Sequence, residues 1–268
     1  MYVTVHDQNI FVSTGGRAFN PDAPVLLLIH GSGQSHLSWL LQARFFANRG
    51  WSVVAPDFPA HGLSEGKPIP SIPEMADWCH DLLETLKVDQ VTAVGHSQGG
   101  LVTLELASRY PKKVSSVGLI ALGLTIGVNP ALIDMADNNE MSAFDAMLSW
   151  GHGRDGKFHD HPMPGNSHVN LGKRIMADNP AGTLSADLRA CAAYQDGAEA
   201  ASKITQPAMI ILAKDDQMTP WKQGKAMADA IPHARTITIA DAGHMLPIER
   251  GDEVNQALRE LLEEQKAK

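Results

Sequence analysis

The strongest chemical signal in this chain is Gly95-His96-Ser97-Gln98-Gly99-Gly100. It fits the pattern G-x-S-x-G and falls between a short apolar run, Val91–Val94, and a segment of helical spacing that starts near Leu101. That order predicts a strand, a sharp turn and a helix, with the serine at the exposed edge of a sheet and the glycines letting the chain turn without a clash. A hydroxyl is a weak nucleophile until a base takes its proton, and the base must be held by an acid. Both follow in the order Ser, Asp, His. Asp215 and Asp216 come after the apolar run Met209–Leu212, and His244 comes after Thr236–Ile239. Each therefore stands just past the end of its own predicted strand, as Ser97 does, where open α/β sheets build their sites. The separations are 119 residues from Ser97 to Asp216 and 28 from Asp216 to His244, room for an insertion and then one crossover helix. A tetrahedral intermediate also needs N–H donors aimed at its oxyanion. Gln98, next to the serine, supplies one; His30-Gly31-Ser32-Gly33, after the run Val25–Ile29, supplies the other from Ser32.

The elements that must position these residues are legible as periodicity. Tyr2–His6 and Ile10–Ser13 alternate around Asp7-Gln8-Asn9, a hairpin signal. Val25–Ile29, Val53–Ala55, Val91–Val94, Val117–Leu122, Met209–Leu212 and Thr236–Ile239 are short apolar runs, as parallel strands buried on both faces require. Between them Glu74–Leu86, Leu101–Arg109, Lys222–Ala230 and Glu253–Glu264 have helical spacing. Strand and helix alternate, which predicts a doubly wound sheet. The alternation fails from Gly123 to Gly197. That stretch reads as helices at Pro130–Ala136, Ala143–Trp150, Val169–Ala177 and Ala186–Tyr194, with no strand, and with Gly151–Ser167 as a Gly-, His- and Pro-rich loop. Asn129-Pro130 reads as an N-cap followed by proline at the first helical position.

Composition narrows the class. The 268 residues carry 22 Lys and Arg against 30 Asp and Glu, a formal charge of −8, with 44% hydrophobic residues. The length suits one large domain with an insertion. The acidic balance leaves no spare cationic charge to displace counterions, so no nucleic-acid partner is expected. Residues 1–11 lack the basic-then-apolar pattern of a signal peptide, and no stretch approaches the roughly 18 apolar residues that span a bilayer. Cys79 and Cys191 lie far apart and outside any C-x-x-C pattern, which reads as two reduced thiols of a cytoplasmic protein.

Together the H-G-x loop, Asp57-Phe58-Pro59-Ala60-His61-Gly62-Leu63-Ser64, the serine turn, the acid turn and Gly243-His244 resemble the α/β-hydrolase superfamily, in the branch with a helical cap between the sixth and seventh strands. The resemblance spans nearly the whole chain. It implies a mostly parallel eight-stranded sheet flanked by helices, with core segments 1–122 and 198–268 around a cap at 123–197. It implies a catalytic triad of Ser97, Asp216 and His244, with Ser32 and Gln98 as the oxyanion hole, and neither cofactor nor metal. Asp216 is favoured over Asp215 because Ala213–Pro220 is similar to the family pattern G-x-x-D-x-x-x-P, with Ala213 in the glycine place. Ala60 likewise replaces the glycine usual in its turn. The expected activity is cleavage of a small or medium carboxylic ester through an acyl-enzyme. C–C bond hydrolase, lactonase, cofactor-free haloperoxidase and slow-turnover ligand receptor are the alternatives; Met245, where C–C hydrolases commonly carry tryptophan after the histidine, lowers the first.

His30, His61 and His96 read as structural supports of the loops rather than proton-transfer groups. His152, His159, His161 and His168 crowd the cap, and His159-Asp160-His161 invites a metal, but a Gly- and Pro-rich loop is a poor frame for fixed ligands. Met135, Met141, Met147, Met163 and Met176 suit either an adaptable apolar pocket or ordinary helix packing.

Overall fold

Alternating apolar residues on the central strands point to opposite faces of one sheet, and each face builds its own core. On one face Leu27, Ile29, Val54, Ala93, Leu119 and Ile210 pack under helices; on the other Leu26, Leu28, Val53, Val94, Ile120 and Ile211 do the same. The computed structural model describes residues 1–138, 140–158 and 167–266. Its strands are β1 (Tyr2–Val5), β2 (Gln8–Ser13), β3 (Val25–Ile29), β4 (Ser52–Pro56), β5 (Val91–His96), β6 (Val114–Ile120), β7 (Ala208–Ala213) and β8 (Arg235–Ile239). They lie in the order β1-β2-β4-β3-β5-β6-β7-β8. The β1–β2 and β2–β4 pairs are antiparallel and the rest parallel.

The helices among the described residues are α1 (Leu40–Ala47), α2 (Ile72–Thr85), α3 (Gln98–Arg109), α4 (Pro130–Asn138), α5 (Glu140–Gly151), α6 (Arg154–Phe158), α7 (His168–Ala177), α8 (Thr183–Ala193), α9 (Gly197–Ser202), α10 (Trp221–Ala230), α11 (Leu246–Glu249) and α12 (Gly251–Lys266). Helices α4 to α9 all fall between β6 and β7. The Asn129 side chain accepts the Ala131 N–H at 2.9 Å, beside the first turn of α4. Within this insertion Leu132, Phe144, Leu148, Met176, Leu184 and Leu188 form a third, separate core.

Two expectations need correction. The hairpin turns at His6-Asp7, not Asp7-Gln8-Asn9; both residues take positive φ (48° and 60°), the geometry whose twist matches paired strands. Gly151–Ser167 is not all loop, because α6 lies within it. That single turn has no apolar stripe to betray it, and the Lys157 N–H closes it onto the Gly153 carbonyl at 3.1 Å. Helix α1 escaped the periodicity reading too, although Ala43, Phe46 and Ala47 form its buried stripe, with Trp39 buried just before it. His159, Asp160, His161 and Met163 lie outside the described residues. No helix among the described residues is long and apolar enough to cross a membrane.

Candidate active site

The serine turn is built by close approach. A Cβ on Gly95 would lie 2.0 Å from the Gly99 carbonyl oxygen, and one on Gly99 would lie 2.2 Å from the Ile29 oxygen, so neither position can hold a side chain. The chain leaves β5 at His96 and passes through Ser97 at φ 55°, ψ −122°. Helix α3 then begins at once at Gln98, three residues before the expected start. A non-glycine residue in that backbone region is strained and persists only where its surroundings fix it. Here the Ser97 N–H donates to the Ile120 carbonyl of β6 at 2.9 Å, and the Ser97 carbonyl receives the Gly100 N–H at 2.8 Å.

Asp216 and His244 meet across the ends of β7 and β8. His244 Nδ1 lies 2.8 Å from Asp216 Oδ2. Asp216 is further held by the Met218 and Thr219 N–H groups on Oδ1 and by the Thr219 hydroxyl on Oδ2, each at 2.8 Å. Burial favours the protonated acid, but its pairing with His244 and these bonds outweigh it and keep the carboxyl below its usual range. Asp215 is exposed. With Nδ1–H given to Asp216, the other imidazole nitrogen keeps its lone pair.

Ser97 and His244 line one cavity of about 370 Å³, together with Ser32. Among the described residues no protein acceptor takes the main-chain N–H of Ser32 or of Gln98. Ser32 sits in a turn closed by the Gln34 N–H on the Gly31 carbonyl at 3.1 Å.

The histidines read as supports take such places. His96 Nε2 donates to the His244 carbonyl at 2.8 Å, and burial pushes its pKa down to about 3, so the ring is neutral. His30 accepts the Phe58 N–H on Nε2 at 3.2 Å and donates from Nδ1 to the Gly31 carbonyl at 2.9 Å; burial brings it down to about 4. His61 bonds the Pro59 carbonyl through Nδ1 and the Asp187 carboxylate through Nε2, both as donor. Burial opposes its charge, yet Asp187 raises its pKa. In the insertion His152 bonds the Leu148 carbonyl at 3.1 Å, and burial brings it to about 4.

Three residues were not singled out from sequence. Thr219 bonds both Asp216 and His244 Nδ1. Glu249 accepts the N–H groups of Gly153, Gly243 and Met245 at 2.8, 3.2 and 3.2 Å, tying the insertion to the His244 turn, and burial raises its pKa. Asp187 is the third, and its one signal is a carboxylate on the apolar stripe of Leu184, Leu188 and Cys191.

A mostly parallel sheet with this strand order, carrying Ser97 and the His244–Asp216 pair at its carboxyl edge, is that of an α/β-fold hydrolase. The sequence profile of the α/β hydrolase family matches residues 26–257, and the chain belongs to that family. One relative is a candidate carbamate hydrolase, RutD, of Cronobacter turicensis, 28% identical over 259 residues, 89% of this chain and 90% of the relative. Another is the (E)-2-((N-methylformamido)methylene)succinate hydrolase of Acinetobacter baylyi, 24% identical over 250 residues, 89% and 90% of the two chains. The solved enol-lactonase of Burkholderia xenovorans LB400 superposes with a TM-score of 0.87 at 25% identity, covering 98% of this chain and 99% of its own.

Proposed function

We propose that this chain is a serine hydrolase of uncharged carboxylic esters of small or medium size, open-chain or cyclic. Ser97 is the nucleophile, His244 the base and Asp216 its partner; the N–H groups of Ser32 and Gln98 form the oxyanion hole. The observation that carries the reading is the strained Ser97 turn opening on the same cavity as an imidazole already bonded to a buried carboxylate. Ser97 Oγ adds to the carbonyl carbon while His244 takes the proton. The tetrahedral oxyanion collapses, the C–O bond to the alcohol breaks, and His244 returns the proton to the leaving oxygen. Water, deprotonated by His244, then adds to the acyl-enzyme and releases the acid and free Ser97. No cofactor or metal enters these steps. A lactone, the bond in the name of the structural relative, is a cyclic ester and follows the same course.

The cavity wall supports the restriction to uncharged substrates. Residues 123–197 act in this reading as a cap, giving Leu132, Met147, Leu148, Met176 and Leu188 to the wall, while polar contacts come from Gln34, Asn129 and Gln217. None of the described lining residues is Lys, Arg, Asp or Glu, and residues 159–166 contain no Lys or Arg in sequence. A carboxylate brought into such a wall loses its hydration without gaining a counter-ion. The succinate in the name of the Acinetobacter baylyi relative is a dianion at neutral pH and fits poorly here. Two buried, unpaired thiols accord with a cytoplasmic setting.

The test is a panel of p-nitrophenyl esters from acetate to octanoate, with the succinate half-ester as the charged member, run beside labelling by a fluorophosphonate. Sustained turnover of the neutral esters, weak turnover of the half-ester and a single label lost in Ser97→Ala are expected, with kcat in that variant lower by several orders of magnitude. A burst without turnover points to a receptor, and labelling that survives in Ser97→Ala removes the assignment.

A further inference from the structure

Helix α8 of the insertion reaches both walls of the oxyanion hole through one residue. The Asp187 side chain is fully buried. Its Oδ2 accepts the N–H of Gly33, the residue after Ser32, at 2.7 Å, and also the His61 Nε2–H at 2.9 Å. Its main-chain carbonyl accepts the Gln98 side-chain amide at 3.2 Å. One turn on, Cys191 Sγ lies 3.6 Å from the Ser32 hydroxyl. Asn179 completes the hold by donating to the Gly33 carbonyl at 2.9 Å and accepting the Gly62 N–H at 2.8 Å.

These contacts have a consequence for catalysis. Gly33 adopts φ +64° in the turn that carries Ser32, so the direction of the Ser32 N–H depends on what fixes that turn. From the core side the turn has the Gln34–Gly31 bond; the charged acceptor on it comes from α8. His61 donates through both ring nitrogens and is therefore an imidazolium, and its charge fixes the Asp187 carboxylate in place. Resting on the reading of Ser97, Ser32 and Gln98 given above, we propose that Asp187 is a positioning residue of the oxyanion hole, holding the Ser32 turn by its carboxylate and Gln98 by its carbonyl. The insertion then contributes to transition-state stabilisation as well as to the cavity wall. Preorganised donors act only if their direction is fixed before the charge forms, and a misplacement of about 1 Å can cost roughly 10²-fold.

Both side-chain bonds fall on the same oxygen, Oδ2, and Oδ1 has no partner among the described residues. An amide oxygen can still take both N–H groups, but it lacks the charge that pairs with the His61 imidazolium, and its NH2 group falls where no acceptor meets it. Asp187→Asn should therefore lower kcat on a neutral p-nitrophenyl ester by about tenfold and Asp187→Ala by about a hundredfold, with KM within about twofold of wild type. Two probes separate positioning from general damage. Phenylboronic acid forms a tetrahedral adduct, Ser97 Oγ adding to boron as His244 takes the proton, and its affinity should fall in parallel with kcat. Benzamide, a planar occupant of the same cavity, should bind as before. Equal losses for both probes, or kcat and boronate affinity within twofold of wild type, overturn the proposal. A measurement on the wild type does not depend on either variant folding. The Gly33 amide proton, bonded to a carboxylate at 2.7 Å, should resonate far downfield in a 1H–15N spectrum and move when the boronate adds. An ordinary Gly33 shift that the boronate leaves unmoved overturns the proposal as well. A wild type that takes neither fluorophosphonate nor boronate at Ser97 fails at the earlier step, and the active-site reading falls with it.

Discussion

The two sides of the cavity are built by different rules. On the sheet side Ser97, Asp216 and His244 each stand at the carboxyl end of a parallel strand, in a dense net of hydrogen bonds to the main chain. On the insertion side a small helical core presents apolar side chains to the cavity, with no charged residue among the described lining, and its buried carboxylate, Asp187, points past the cavity to the Ser32 turn. A sheet fixes the register of its strands, and with it the places where its loops begin, through paired backbone groups. A helical layer held by side-chain packing has no such register and can change its lining without disturbing the strands. In the reading proposed above, that division puts bond-breaking on the sheet and substrate choice on the insertion, with Asp187 and Glu249 among the buried ties between them.

The largest effect expected after Ser97→Ala tests the sheet side. Asp216→Asn removes the acceptor that orients His244 and stabilises its charge. An aspartate-to-asparagine change in another serine–histidine–aspartate triad cost about 10⁴ in kcat. A similar loss is expected here, against less than about threefold for the exposed Asp215→Asn, both measured on one ester. If Asp215→Asn is the more damaged enzyme, the division of roles within the acid turn is wrong.

Acid should loosen both sides at once. His30, His96 and His152 are held neutral, with pKa values brought down by burial to about 4, 3 and 4. In the unfolded chain each ring takes up a proton near pH 6.5, so between about pH 6.5 and 4 the unfolded state binds protons that the folded state refuses. Stability must fall across that window, by an amount on the order of 3 kcal/mol per ring at most. His61 works in the opposite sense, since its raised pKa gives stability that is fully present below the ordinary value and is lost as pH rises through the folded one. Below about pH 6.5 that contribution is already present, so it does not offset the loss across this window. Urea midpoints at pH 7 and pH 5 check this, and an unchanged midpoint contradicts it.

A smaller effect sharpens the insertion side. Leu132→Ala and Leu188→Ala enlarge the apolar wall and should shift the ratio of kcat/KM for octanoate over acetate by about tenfold, while acetate turnover changes by less than about threefold, since one or two methylene contacts are worth about 1–3 kcal/mol. Folded variants that lose all esters equally would place chemistry in the insertion.

How far the sequence carried this picture follows from the same contrast. Strands buried on both faces print themselves as apolar runs; Val25–Ile29 matches β3 to the residue, and the loops that follow carry recognisable turn chemistry. Short helices such as α6 and α11 lack the length for a periodic signal. Asp187 was not singled out: it is a carboxylate on an apolar stripe, but its partner His61 lies 126 positions away, and no local pattern pairs residues across that distance. Glu249 and Thr219 act on main-chain N–H groups or through neighbours that only the folded chain brings near. The wall of the cavity was hinted at by methionines; Met147 and Met176 serve both the insertion's core and the cavity, so packing and lining were never separate readings for these two.

The smallest predicted effect lies where the two sides join. Ala60, which replaces the glycine of the family's turn, takes φ +65°, and its carbonyl accepts the Thr183 hydroxyl of α8 at 3.3 Å. An L-residue in that region costs about 1–2 kcal/mol, which argues for glycine. Against it stand the extra backbone entropy that glycine loses on folding, about 0.5–1 kcal/mol, and the burial of the Ala60 methyl, worth about 0.8 kcal/mol; the residue is only 3% exposed. These terms nearly cancel, which explains how alanine holds a glycine position without a visible compensation around it. Ala60→Gly should therefore change stability by less than about 0.7 kcal/mol and leave kcat untouched, whereas Ala60→Val, β-branched at positive φ in a buried position, should lose more than about 2 kcal/mol. Denaturant titration of the two variants reads both numbers. A gain above about 1.5 kcal/mol in Ala60→Gly would mean that the methyl contributes nothing to the junction and that strain alone governs this turn.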